Sequence, residues 1–359
     1  MSENKQGRDG SIDLLRGFAI LIVVLGHTIT GLTSGSENSA VYRVIWSLQM
    51  PLFFLISGYC FRFSRPIASG RDLGAYIVKR SAAYLLPWCV WTFLIRGIIF
   101  GQSYFLDPGD IFFHMDKGYW FLASLWTLSL FLGVSSFLSA KMIRNKRSVS
   151  ALLVTALFYA LLAGLLVLTG RFAGMGFFGA RLTLYYAPFY FAGYLYSFAG
   201  SILSTDSKKK ITDIAAALCA VVYIVLMTRF NILKFDDSVK YAALRMIISL
   251  TGCIAVCGTL GRIRTDNRGA SVLTYTGRHS LEIYLMHYLL LSPLKPETVP
   301  KAGTLKALGS VSLNYILTLG ITFGIILLLS QNTILQFILF GKKKKNASES
   351  IDRRDGSVQ

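Results

Sequence analysis

A chain of 359 residues that is 53% hydrophobic and only 15% charged is too poor in charge for a soluble domain, where about a quarter of residues are charged. The net charge of +19 invites a nucleic-acid reading. However, the basic residues sit in short clusters between long apolar blocks, as expected of a chain oriented across a bilayer.

A membrane-spanning helix needs about 20 mostly apolar residues. Blocks at 12–32, 43–61, 81–101, 118–140, 148–169, 182–203, 211–228, 241–261, 270–293 and 307–340 meet that need. The expected fold is therefore all-α, a polytopic membrane protein of about ten transmembrane helices. Residues 1–341 read as a single transmembrane domain and 342–359 as a disordered basic cytoplasmic tail. With the N-terminus placed in the cytoplasm, 25 of the 37 basic residues fall in inside segments, 10 in outside loops, and Arg96 and Arg245 within spans. That bias puts both termini inside, with the lipid bilayer as the partner that the basic surplus serves and no nucleic acid required.

Lys5 and Arg8 precede the first block, which is long enough to read as an uncleaved first helix rather than a signal peptide. It carries Asp13, Arg16 and His27. Arg16 and His27 are eleven positions apart, which returns to within roughly 20° of one helix face at an axial separation of about 16 Å. Asp13 lies three residues before Arg16 and can pair with it. One helix thus aims a cation near the inner boundary and an imidazole in the outer half at a common cavity. The alternative is a snorkelling Arg and a His satisfied by a neighbouring helix.

Residues 62–80 are basic and long enough for a short surface helix, ending in Lys79-Arg80. Arg96, inside the next block, needs a buried partner. His114 lies in an outer loop with Asp110 and Asp116 and reads as solvated. Tyr119 and Trp120 suit either an interfacial belt or sugar stacking. Glu282 and His287 share the ninth block, with Arg278 and His279 towards its inner end. The last block is interrupted by Ser330-Gln331-Asn332-Thr333, a tilt or a polar kink. Cys60, Cys89, Cys219, Cys253 and Cys257 lie in or at the ends of apolar blocks and read as small hydrophobes. There is no P-loop, dinucleotide fingerprint or metal-ligand spacing, and no internal repeat of the kind many transporters carry.

Several of these stretches, in order, resemble the acyltransferase-3 family of integral membrane O-acyltransferases. Arg16, ten residues and then His27 is similar to that family's first-helix signature. Trp46-Ser47-Leu48-Gln49-Met50-Pro51-Leu52-Phe53-Phe54 resembles its second-helix motif. Lys79-Arg80 followed by Leu85-Leu86-Pro87 resembles its basic stretch, Gly118-Tyr119-Trp120-Phe121-Leu122 its Trp-Phe-Leu entry, and Ser280-Leu281-Glu282-Ile283-Tyr284-Leu285-Met286-His287 its late helix. Two positions depart. Gln49 stands where many relatives place His, and Ala83 where a second Arg usually follows the first by three.

The resemblance implies transfer of an acyl group, usually acetyl from acetyl-CoA as co-substrate, to a hydroxyl of a cell-envelope carbohydrate at the plasma (inner) membrane. No permanently bound cofactor or metal is implied. His27 with Asp13 forms the expected catalytic set. Arg16, Lys79 and Arg80 are the expected donor-phosphate ligands. Gln49, Arg96, Trp120, Glu282 and His287 are expected at the acceptor. An exporter or flippase of a polysaccharide or lipid-linked sugar is the competing reading on the same scaffold.

Overall fold

The computed structural model describes residues 10–115, 118–143, 145, 148–202, 205–236, 238–263, 267–291 and 299–342. Lys5, Arg8, Asp116 and the tail 343–359 lie outside the described residues. Thirteen α-helices follow in order among the described residues: α1 Gly10–Leu32, α2 Ala40–Tyr59, α3 Gly70–Cys89, α4 Pro108–Phe113, α5 Trp120–Met142, α6 Val149–Ala173, α7 Ala180–Ile202, α8 Thr205–Arg229, α9 Val239–Leu260, α10 Arg268–Arg278, α11 Ser280–Leu291, α12 Leu305–Leu329 and α13 Thr333–Phe340. The only pairing of extended backbone among them is an isolated bridge, Ser34 to Lys301, which ties the end of α1 to the segment before α12.

Eight of these helices, not ten, are long and apolar enough to cross a membrane. The other two expected blocks have physical reasons for falling short. α7 runs 23 residues, but its tyrosines at 185, 186, 190, 194 and 196 dilute its apolar character. The ninth block is not one helix: it breaks at His279 into α10 and α11. The polar interruption at 330–333 is a turn between two helices, where the Asn332 side chain caps α13 by accepting from the backbone N–H groups of Ile334 and Leu335 at 2.9 and 3.1 Å.

Near its end α3 changes winding, and Val90–Ile99 is π-helical. Such loosened turns are rare and concentrate at functional sites. This one carries Arg96.

In lipid no hydrophobic force drives helices together, so tight pairs rely on small residues that let backbones touch. Two such crossings position the site. A Cβ on Gly17 would overlap the Leu273 carbonyl, and one on Gly277 the Asp13 carbonyl, so α1 and α10 meet backbone to backbone. Gly58 and Gly193 do the same for α2 and α7, against the carbonyls of Tyr190 and Leu55. α1 is thereby enclosed by α2, α9, α10, α11 and α12. Ala19, Ile20, Val23 and Val24 on it are almost wholly buried. The helices left with mostly exposed apolar faces, such as α6 and α8, form the outside of the bundle, where lipid takes the place of protein.

Candidate functional site

The first half of the site is an ion cluster at the start of α1. Asp13, only 1% exposed, faces two guanidinium groups, Arg16 at 3.8 Å and Arg278 at 3.4 Å. Arg16 also donates to the Cys60 sulfur at 3.3 Å. Beside it, the fully buried Glu282 carboxylate binds the Lys342 ammonium and, at 3.0 Å, the Nδ1 of His279. The Lys342 ammonium donates as well to the Arg278 carbonyl at 3.1 Å. Buried carboxylates without such partners would be too costly to keep charged, so each acid fixes a pair of basic groups.

Arg16, Arg278 and Lys342 line one side of a cavity of about 210 Å³. Its other walls are Phe53 and Ser57 of α2, Tyr84 of α3, Phe121 and Leu125 of α5, and Tyr284 of α11. The shape is that of a slot with a cationic mouth and an aromatic, aliphatic interior.

Tyr284 lines the slot and packs against the second half of the site, its ring centre 6.1 Å from that of His287. His287, 2% exposed, is 5.2 Å centre to centre from His27. The His287 Nδ1 lies 3.0 Å from the Ile283 carbonyl. A carbonyl can only accept, so in the neutral ring Nδ1 carries the proton and Nε2 keeps its lone pair. That buried Nε2 has no hydrogen-bond partner. Tyr288 stands edge-on to His27 at 5.6 Å. The Arg96 guanidinium lies over the Tyr288 ring at 5.5 Å and over Phe105 at 4.0 Å, with its Nε donating to Gln102 at 2.8 Å. Gln49 abuts α1 at Gly26, the residue before His27: its Oε1 lies 2.8 Å from where a Cβ on Gly26 would stand. That oxygen is likewise buried and unpartnered.

Compared with the expectations, His27, His287, Gln49 and Arg96 are gathered around one end of α1, and Arg16 lines the slot at the other. Five placements differ. Asp13 does not touch His27: fourteen residues of helix put it about 21 Å away, and its carboxylate anchors arginines. Glu282 sits with the cations rather than at the acceptor end, because it lies five residues before His287 on a helix entering from the Arg16 side. Trp120 stacks on Tyr186 at 5.4 Å and on Phe54 at 6.3 Å, while its neighbour Tyr119 reaches α11 through a 3.0 Å bond to the Leu285 carbonyl. Lys79 and Arg80 both fall outside the slot lining: Lys79 is exposed, and Arg80 donates to Tyr84, which does line the slot, at 3.3 Å and to Ser64 at 3.0 Å.

Three participants are absent from the sequence reading of the site: Arg278, Lys342 and Tyr288. Lys342 reads there as the first residue of the tail. Tyr288, next to His287 in sequence, carries a usable signal. Arg278 and Lys342 reach the slot only through the break at His279 and the turn before α13, which no local pattern announces. Among the described residues no group of three or more His, Cys, Asp or Glu side chains could hold a metal ion.

A bundle of apolar helices, with buried ion pairs beside a cavity and a histidine pair packed next to one of its lining residues, has the build of an integral membrane protein. The family model described as an acyltransferase domain matches residues 9–331, and the chain belongs to that acyltransferase family. It is similar to the nodulation protein NolL of Mesorhizobium japonicum, 26% identical over 200 residues, covering 53% of this chain and 48% of that protein. It is also similar to the nodulation protein NolL of Sinorhizobium fredii, 31% identical over 103 residues, covering 26% of each chain. The matched region thus spans about half the length of the first relative or less. No solved structure matches the chain.

Proposed function

We propose that the chain is an O-acyltransferase of the plasma (inner) membrane that moves an acetyl group from cytoplasmic acetyl-CoA to a hydroxyl of a cell-envelope carbohydrate. The observation that supports this reading is a cavity lined by three cations and by Tyr284, whose ring packs 6.1 Å from His287, itself 5.2 Å from His27. CoA has the matching shape, with phosphates at one end and a thioester at the end of a narrow arm. Cations suit its phosphate oxygens, and the apolar walls suit the arm and exclude water from the thioester.

At the far end, His27 accepts the proton of the attacking hydroxyl as its oxygen bonds to the thioester carbonyl carbon. The C–S bond then breaks, and the departing CoA sulfur takes that proton back from His27. The unpartnered Nε2 of His287 accepts a hydrogen bond from the charged His27 ring and so stabilises it. Arg96, through Tyr288, and Gln49 frame the opening on which the acceptor binds. An exporter would need the passage but not a titrating pair held opposite a cation cluster, so the enzyme reading is the better supported.

The test is a comparison of Arg16→Ala and His27→Ala in purified protein, measuring CoA binding and acylation of isolated glycan. A residue that holds the donor equally in ground and transition states mainly changes KM, and a base mainly changes kcat. Arg16→Ala should weaken CoA binding, with Arg16→Lys recovering only part of it. His27→Ala should lower turnover by about 10² or more and leave CoA binding intact. Wild-type turnover in His27→Ala would transfer the case to the exporter.

A further inference from the structure

We propose that Arg278 and Lys342 form a phosphate-binding subsite at the mouth of the slot, and that α13 exists to deliver Lys342 to it. The inference rests on the acyl-CoA reading above and adds residues and a segment that the reading does not require.

Charge is the first argument. Among the described residues the mouth holds three side-chain cations, Arg16, Arg278 and Lys342, and two carboxylates, Asp13 and Glu282. Both acids are buried, at 1% and 0% exposure, whereas the Arg278 and Lys342 side chains are 51% and 37% exposed. The acids therefore hold the bases from behind, and the positive surplus faces the opening. Arg278 and Lys342 are also bound to each other through the 3.1 Å contact of the ammonium with the Arg278 carbonyl. A guanidinium and an ammonium that line one cavity and are both half-exposed suit the oxygens of a phosphate monoester or diphosphate.

Delivery is the second argument. A lysine that follows a short helix seldom has a reason to be held in place, yet this one is built in. The Asn332 cap starts α13, Phe340 is 1% exposed, and the Trp91 indole N–H donates to the Leu339 carbonyl at 2.8 Å. Gly341, at φ 64°, then turns the chain in the left-handed region. Its backbone passes directly over Ala82 and Ala83 of α3, too close for any side chain at 341. Lys342 is the next residue. Each of these features serves to place its ammonium, and none is needed to span a bilayer.

The test uses full-length protein in phosphatidylcholine nanodiscs. Lys342→Met alone would strand the Glu282 carboxylate, so the decisive pair is Glu282→Gln against Glu282→Gln/Lys342→Met. The double variant should bind CoA about tenfold more weakly than Glu282→Gln, as expected for one hydrogen bond to a charged group. The KM for S-acetylpantetheine, which lacks the nucleotide phosphates, should be equal in the two. Equal CoA affinities, or equal losses with both donors, would overturn the subsite. So would a difference that appears only when anionic lipid is added, which would assign the cations to a lipid headgroup. If wild-type protein binds no CoA, the subsite and the donor reading fall together; if it binds CoA and the two variants do not differ, the subsite alone falls.

Discussion

The histidine pair offers the most discriminating test, because the proposed reaction gives different work to the two nitrogens of one ring. The His287 Nδ1 donates to the Ile283 carbonyl, and its Nε2 is buried without a partner beside His27. The ring centres are 5.2 Å apart, so a turn of the His27 ring is enough to bring a nitrogen within hydrogen-bond reach of that Nε2. When His27 takes up a proton it becomes a charged donor, and a buried hydrogen bond to a charged group is worth about 1.5–3 kcal/mol. That corresponds to roughly 10- to 150-fold in rate. Asn at 287 places an amide N–H where Nδ1 stands and nothing where Nε2 stands, whereas Gln can reach the Nε2 position with its carbonyl oxygen. His287→Asn should therefore lose about 10- to 100-fold in kcat with little change in KM for the donor, and His287→Gln should recover a good part of that. Single-turnover acyl transfer in detergent, with size-exclusion profiles confirming folded protein, measures both. Full activity in His287→Asn would show that Nε2 has no part in the reaction. Equal loss in both variants would make His287 a packing residue.

Three other outcomes are expected. Gly277→Leu should fail to fold or lower the thermal aggregation temperature sharply, since its side chain meets the Asp13 carbonyl; the same change at Gly324, with nothing nearby, should be mild, and equal behaviour would deny the α1–α10 crossing. Gln49→Leu should reduce turnover while Gln49→His keeps much of it, measured as acceptor acylation; an unchanged Gln49→Leu variant would leave Gln49 only a packing role. Cysteines introduced at Ser36 and Asp236 should react with an impermeant thiol reagent from outside the cell, as the distribution of basic residues requires; labelling of Ser36→Cys only from the cytoplasm would invert the topology.

The sequence made the bundle legible because lipid imposes one rule, long apolar helices, that composition records directly. It also showed Arg16 and His27 as a pair, since both lie on one uninterrupted helix and helical geometry relates them without tertiary information. His287 and Gln49 were found through motif resemblance rather than periodicity. What stayed hidden depended on how helices are broken and turned. A helix running unbroken through His279 would not have revealed that Glu282 belongs with the cations. Lys342 looked like tail because a short helix after a polar turn, docked by an indole bond and a left-handed glycine, leaves no periodic trace. For Asp13 the local spacing predicts the pairing with Arg16 that the structure shows, while the role beside His27 that the resemblance implies does not fit its position. A carboxylate three residues from an arginine pairs with it locally, and that pairing says nothing of a histidine fourteen residues on.

The two ends of the site are coupled by a register that the crossing glycines set. Gly17 touches Gly277, and ten residues further along each chain His27 touches His287, so the two helical segments run parallel and in step. Ten residues of an α-helix rotate the side chain by about 80° from where it began. On a straight α1, His27 is therefore swung off the seam by that angle, and Arg16, one residue before Gly17, lies about 100° off it in the same direction. Both are turned out of the contact and towards one side, where the slot runs. Asp13 falls about 40° from the seam, between the contact line and the slot, which is why it can hold Arg16 on its own helix and Arg278 across the crossing. The partner chain faces a different problem. Arg278, one residue after Gly277, lies about 100° off the seam on its own helix and meets Asp13 from there, while His287 meets His27 nine residues on. An unbroken helix would fix the angle between those two positions, and the break at His279 frees it.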